Sequence, residues 1–258
     1  MVKLPNDESP AAIPQNIYME TLRQMILGLN LGSYELSVFP ALGAKEALTS
    51  SFINVEKRER GEDWPGFAIT MTGNARILTA LKLIESIVAN NITGDVMETG
   101  VWRGGTSIYM HGVLRALGQH DRMSIVCDSF TGLPPSTYDV GNEKNMNWDH
   151  TPFLEVSDAT VKHNFVTLGL NGPNILFVKG FFSKTMAPLR QAHKGKIALL
   201  RLDGDMYEST VVSKLAEELI ASYKCTFVTP SLIYPYPVHL LVNCTIYSLP
   251  FQLFISLM

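Results

Sequence analysis

Residues 95–107 read Asp-Val-Met-Glu-Thr-Gly-Val-Trp-Arg-Gly-Gly-Thr-Ser. A short apolar run closed by Glu98 and Thr99 passes into glycines and then into 106–117, where apolar residues fall at helical spacing. That order predicts a strand, a tight turn and a helix, the opening unit of a βαβ fold. The rhythm repeats downstream. Apolar runs at 123–128, 174–178, 197–203 and 225–229 are interleaved with helix-like stretches at 156–168 and 209–222. Strands alternating with helices predict an α/β protein whose parallel sheet carries helices on both faces. Right-handed crossovers then bring every strand's C-terminal end to one edge, where ligands of such sheets bind.

Upstream, prolines at 5, 10 and 14 predict a mobile arm, and the apolar spacing from Asn16 to Leu31 predicts a helix stopped by Gly32. The charge run 56–63, EKRERGED, reads as a solvated loop or helix end. Residues 75–89 form an amphipathic helix with Ile77, Leu81, Ile84 and Val88 on one side. The chain divides into an arm and helical region at 1–60, an α/β domain at 61–224 and a tail at 225–258 that lacks Asp, Glu, Lys and Arg.

Composition excludes several classes. With 258 residues, 46% of them hydrophobic, the chain is long enough to bury a core, which rules out global disorder. A net charge of −3 argues against a nucleic-acid binder. Three unpatterned cysteines make neither a disulfide framework nor a zinc site, and the six histidines lack metal-ligand spacing. The start lacks the apolar segment of a signal peptide, so a cytoplasmic setting is expected. The tail is apolar, but its longest proline-free run, 238–249, is shorter than the ~20 residues of a membrane-spanning helix.

The strand ends carry the chemistry. After the first come Glu98, Thr99, Gly100, Arg103, Gly104, Gly105, Thr106 and Ser107, where glycines admit a ligand close to backbone and a helix N-terminus follows. The spacing G-x-x-x-G-G departs from the dinucleotide fingerprint, and the leading acidic residue suits a ligand bearing an ammonium group better than a pyrophosphate. The second strand ends in Asp128, placed to take two ribose hydroxyls, and the third in Gly180, Phe181 and Phe182, whose rings suit stacking or core packing. The fourth ends in Asp203, Asp205 and Glu208, a density of oxygen ligands that suits a hard cation such as Mg²⁺. A nicotinamide-dependent enzyme is a weaker alternative, lacking a catalytic Tyr-x-x-x-Lys or His pair.

These strand ends together resemble the class I S-adenosylmethionine methyltransferases. More specifically, ETGVWRGG (98–105), DSFTGLP (128–134) and LRLDGDMYEST (200–210) resemble signature blocks of the macrocin O-methyltransferase family, as do 63–77, 154–165 and 178–189. The resemblance spans about residues 60 to 224. It implies a Rossmann-like sheet with an N-terminal helical lid, and Mg²⁺-assisted methylation of a hydroxyl on a sugar or other small molecule, often by a homo-oligomer. Carried over by position, Glu98, Thr99, Gly100, Arg103, Gly104, Gly105, Thr106 and Ser107 would hold the methionine half of S-adenosylmethionine. Asp128 would bind the ribose beside Ser129 and Phe130, and Gly180, Phe181 and Phe182 the adenine. Thr70 and Met71 would contact the donor from the lid, and Asp203 would be both metal ligand and general base.

The resemblance fails at one place. The family's next strand ends in an Asp-Asp pair that completes the metal site; here Thr229-Pro230-Ser231-Leu232 stands instead, and no carboxylate follows. The expectation is a family pattern that stops near Lys224, a C-terminal hairpin missing or atypical, and impaired activity. The competing expectation is a non-catalytic donor-binding remnant or splice isoform.

Overall fold

The structure, a computed structural model, describes residues 14–40, 48–134, 151–204, 225–228, 240–246 and 249–255. The helix 209–222, Asp205, Glu208, the segment 229–232 and most of the N-terminal arm lie outside them.

The N-terminal region contains α1 (Gln15–Ile26), the strands β1 (Leu36–Pro40) and β2 (Leu48–Phe52), α2 (Val55–Arg60) and β3 (Trp64–Pro65). The strands form a small antiparallel sheet in the order β2-β1-β3. The expected helix to Leu31 ends earlier, at Ile26. Gly28, with φ +69°, turns the chain into a 3₁₀ segment at Leu29–Tyr34, and a Cβ there would meet Glu35 Oε2 at 2.6 Å. The charge run is the larger correction: it contains α2, capped by the Asn54 side chain accepting from Lys57 N–H, and Arg58 and Asp63 are fully buried. Alternating charge is a signature of solvated helices only while each charge lacks an interior partner; here two find one.

The main domain comprises α3 (Asn74–Ala89), β4 (Asp95–Thr99), α4 (Gly105–Ala116), β5 (Ser124–Asp128), α5 (Asp158–Thr167), β6 (Ile175–Lys179), α6 (Phe182–Ala192), β7 (Ile197–Leu202), β8 (Cys225–Val228), β9 (Leu240–Ile246) and β10 (Leu249–Ile255). The seven strands run in the order β10-β9-β8-β7-β4-β5-β6. The five strands from β8 to β6 are parallel, and the uncharged tail adds β9 and β10 antiparallel at the edge. Of the two expectations for the C-terminal hairpin, missing or atypical, absence is excluded: it is present, stacked in simple sequence order beside β8.

Period-two alternation sends the strand side chains to two cores. Val96 and Val126 join α1, α3, α4 and α5 on one face, while Met97, Ile125, Cys127 and Leu200 meet Phe182 and Met186 of α6 on the other. On α3, Ile77 and Ile84 are buried as expected, with Ala80 and Ile87 completing the stripe and Leu81 and Val88 packed at its margin. Between β4 and β7 the chain order reverses, since β5 and β6 extend to one side and β7 and β8 to the other. Sheets of this kind open a crevice at such a reversal.

Candidate functional site at the strand ends

The ends of β7, β4 and β5 are locked together by backbone. Asp203 N–H donates to Thr99 C=O at 2.8 Å, Gly100 N–H to Cys127 C=O at 2.9 Å and Gly180 N–H to Asp128 C=O at 2.9 Å. Gly100 has φ +83°, and a Cβ there would fall 1.7 Å from the Asp203 carbonyl oxygen, so only glycine lets the β7 end lie alongside.

Asp128 organises both turns beside it. Its Oδ2 accepts from Val101 N–H at 2.7 Å and Trp102 N–H at 3.3 Å; its Oδ1 accepts from Phe130 N–H at 2.9 Å and the Ser129 hydroxyl at 3.3 Å. Burial pushes the Asp128 carboxyl above the usual carboxylate range, against the pull of these donors.

A buried ionic cluster spans β4 and β7, where Glu98 and Arg201 are register partners. The Arg201 guanidinium donates to Glu98 Oε1, to Asp203 Oδ2 at 2.5 Å and to Thr72 Oγ1 at 3.2 Å. The Ser107 hydroxyl, from the first turn of α4, donates to Glu98 Oε2. Burial draws the Arg201 pKa down, but the attraction of Asp203 and Glu98 outweighs it and leaves the cation firmly protonated. Burial also pushes the Glu98 carboxyl upward. The Glu98 and Arg201 side chains are almost fully enclosed, whereas the Asp203 side chain is 22% exposed and faces the crevice.

The segment 66–72 lies on the N-terminus of α4. Gly105 N–H donates to Ile69 C=O at 2.9 Å, and the Thr106 hydroxyl meets those of Thr70 at 3.2 Å and Thr72 at 2.9 Å. Arg103, expected among the donor-binding residues, gives its guanidinium to the carbonyls of Pro65, Gly66 and Ala68 at 3.3, 3.0 and 2.8 Å. It sits 4.2 Å over the Trp102 ring and 5.1 Å over Phe153, and burial lowers its pKa to about 10.

Of the residues singled out in the sequence, Glu98, Thr99, Asp128 and Asp203 stand at the adjacent ends of β4, β5 and β7, Gly100 to Ser107 form the turn and first residues of α4, and Thr70 meets Thr106 there with Met71 half-buried beside it. Thr99 is wholly buried, and its hydroxyl finds no hydrogen-bond partner among the described residues. The single Ser129 hydroxyl proton is shared between Asp128 Oδ1 and the Gly132 carbonyl oxygen, 2.5 Å away. Two aromatic rings go elsewhere. Phe130 packs in the upper core 6.3 Å from Phe177, and Phe182 fills the lower core with Met97 and Cys127. Gly180 and the half-exposed Phe181 remain at the β6 end. Arg201 and Thr72 were not anticipated; the signal for Arg201 was a lone cation inside the apolar strand IALLRL, which demands a buried counterion.

The donor set among the described residues does not by itself fit Mg²⁺. Asp203 Oδ2 is held by a guanidinium, the residues at 229–232 bring no carboxylate, and no group of three or more His, Cys, Asp or Glu is gathered among the described residues. Three carboxylates, Glu98, Asp128 and Asp203, end three adjacent strands above a glycine turn. Among the described residues no helix is long and apolar enough to cross a membrane.

The family model for macrocin-O-methyltransferase (TylF) matches residues 17–220. The chain is 35% identical over 199 residues to the 8-demethyl-8-(2,3-dimethoxy-alpha-L-rhamnosyl)-tetracenomycin-C 4'-O-methyltransferase of Streptomyces olivaceus, covering 76% of this chain and 72% of that one. It is 40% identical over 159 residues to the demethyldecarbamoylnovobiocin O-methyltransferase of Streptomyces niveus, covering 60% of this chain and 59% of that one, under two thirds of the relative. The solved structure of the O-methyltransferase NovP superposes with a TM-score of 0.71 at 30% identity over 86% of each chain.

Proposed function

The chain belongs to the macrocin-O-methyltransferase family of enzymes, and from that premise we propose that it uses S-adenosylmethionine to methylate a hydroxyl on a sugar or sugar-bearing small molecule. The observation that carries this reading is the juxtaposition of Glu98, Asp128 and Asp203 at the chain reversal, above the Gly100–Gly105 turn. The donor supplies an electrophilic methyl group on a sulfonium. The acidic strand ends favour its ammonium and sulfonium charges, and the turn 100–105 lets its methionine half approach backbone. The bonds to Asp128 from Ser129 and Trp102, both 3.3 Å, are the weaker ones, which ribose hydroxyls would share or displace.

Asp203 is the proton acceptor in this reading. Arg201 holds Oδ2, which leaves Oδ1 to receive the acceptor's O–H and take its proton as the new O–C bond forms and the S–CH3 bond breaks, with S-adenosylhomocysteine as the leaving thioether. Arg201 also orients the carboxylate, so its angle to the crevice is fixed before the acceptor arrives. No metal enters this account, because the described residues do not make its site.

A second reading has its own support. The absence of the acidic pair at 229–232 favours a protein that binds the donor but transfers slowly or not at all. Calorimetry of the full chain with S-adenosylmethionine and S-adenosylhomocysteine, followed by a transfer assay on a panel of deoxysugar glycosides, separates them. Binding with turnover supports the enzyme, and binding without turnover supports the binder. No binding by folded protein sinks both.

A further inference from the structure

We infer that Glu35 and Arg58, far from the strand ends in sequence, are positioning residues for the methyl-donor site; the inference rests on the donor-binding reading above. Both are fully buried in the N-terminal region. Glu35 Oε1 accepts from the amides of Leu36 at 3.1 Å and Phe67 at 3.0 Å, and Oε2 accepts from Ala68 N–H at 2.7 Å. The carboxylate thus holds the start of the segment 66–72 by two backbone amides. Arg58 holds Glu35 in turn, with NH2 3.5 Å from Oε1.

Arg58 is itself immobilised. Its Nε donates to Asp63 at 2.9 and 3.1 Å, NH2 to Asp63 Oδ2 at 2.9 Å and to Leu36 C=O at 3.0 Å, and NH1 to Leu27 C=O at 2.9 Å. The Ser37 hydroxyl donates to Asp63 Oδ2 at 2.5 Å. Buried ion pairs are poor sources of net stability, since apolar replacements of equal volume often stabilise as well or better. What they supply is direction. A carboxylate taking two consecutive amides fixes where that backbone lies far more narrowly than packing does.

The fixed segment then reaches the crevice through hydroxyls. Thr70 and Thr72 meet Thr106 in the first turn of α4, and Thr72 Oγ1 accepts from Arg201, which holds both Glu98 and Asp203. Arg103 grips the same segment from the opposite side through the carbonyls of 65, 66 and 68. The path from Arg58 to Asp203 is thus one ion pair followed by hydrogen bonds and short backbone, with Glu35 as the joint between region and site.

The test is Glu35→Gln in the full chain. It keeps the shape but sets an amide N–H₂ against one of the backbone N–H groups. Hydrogen exchange at Phe67 and Ala68 in ligand-free protein should quicken, and S-adenosylhomocysteine affinity should fall by about tenfold or more, with the near-ultraviolet circular dichroism of the core unchanged. A lowered melting temperature with unchanged affinity overturns the inference, because it makes Glu35 merely structural. No binding by the parent chain overturns the donor reading and this inference together, whereas equal binding by parent and Glu35→Gln overturns this inference alone. If Glu35→Gln does not fold, Thr72 decides. Thr72→Val should lose affinity and Thr72→Ser, which restores the hydroxyl, should recover most of it; parent-like binding by Thr72→Val overturns the inference.

Discussion

Two arginines are buried in this molecule with two carboxylates each, and they do different things. Arg58 meets Asp63 and Glu35, and both carboxylates are as fully enclosed as the cation. Arg201 meets Glu98 and Asp203, but the Asp203 side chain keeps 22% of its surface open to the crevice at the strand ends. The first cluster is closed: its bonds run to carbonyls, amides and a hydroxyl of the protein. The second is open on one side. A buried charge is costly unless paired, and the paired charge with an open face is the one available for chemistry. Closure reads as positioning, and the open edge reads as a site.

The largest expected effect tests closure. Asp63→Asn keeps the volume but leaves Arg58 short of its main counterion, and removing one partner of a buried pair costs about 3–5 kcal/mol. Urea unfolding should show that loss. A loss near zero would mean that water reaches Arg58 and that the two clusters differ less than their burial implies.

The next effect lies between them in size and must be discounted before either cluster is titrated with acid. His111 is buried on α4, hydrogen-bonded to the Ser124 hydroxyl at 2.9 Å, and burial lowers its pKa from 6.5 to about 4. The folded protein therefore prefers the neutral ring, and between those values the unfolded chain binds more protons. The contribution is complete above the unfolded pKa and is lost as pH falls from 6.5 toward about 4, up to about 3 kcal/mol in all. His111→Gln should flatten that limb of the stability profile. If the slope survives the substitution, the acid loss belongs to other groups.

The open cluster predicts a smaller cost in stability and a larger one in function. Asp203→Asn removes a charge-assisted bond from Arg201 at a partly open position, worth about 1.5–3 kcal/mol. Donor affinity should fall a few-fold with the loss of one strand-end charge, while methyl transfer at saturating donor, where the parent shows any, should fall by about a hundredfold or more with loss of the proton acceptor. A transfer rate equal to the parent's would take Asp203 out of the chemistry and leave Arg201 as closed a cluster as Arg58.

The same contrast shows what the sequence made legible. The parallel sheet, the positions of Glu98, Asp128 and Asp203, and the helix at 74–89 follow from local alternation and from residues just past each strand. Local pattern is what those features depend on. Arg58 and Asp63, which pair with each other inside the run, were misread as solvated because the groups that enclose the pair, Glu35, Ser37 and the carbonyls of Leu27 and Leu36, stand in other elements and only the tertiary fold brings them in. Phe182 looked like a donor-facing ring because strand-end position was visible while the side chain's direction into the lower core was not. The hairpin β9–β10 could be read only as missing or atypical for a related reason: charge-free sequence broken by prolines carries little periodicity, and its pairing is set by the sheet edge it joins.

The smallest expected effect is none at all, and it separates this chain from the pattern of its family. A divalent cation of this size wants several oxygen ligands at short range and tolerates a neighbouring cation poorly. Asp203 offers one carboxylate already engaged by Arg201, and Thr229-Pro230-Ser231-Leu232 adds none. S-adenosylhomocysteine affinity should therefore be the same in excess Mg²⁺ and in EDTA. The double substitution Ser231→Asp/Leu232→Asp should introduce a Mg²⁺ dependence that the parent lacks, read as a metal-dependent rise in transfer rate or in affinity. A parent chain that already responds to Mg²⁺ would mean that Arg201 releases Asp203 to the ion, and that the second cluster is open on both sides rather than one.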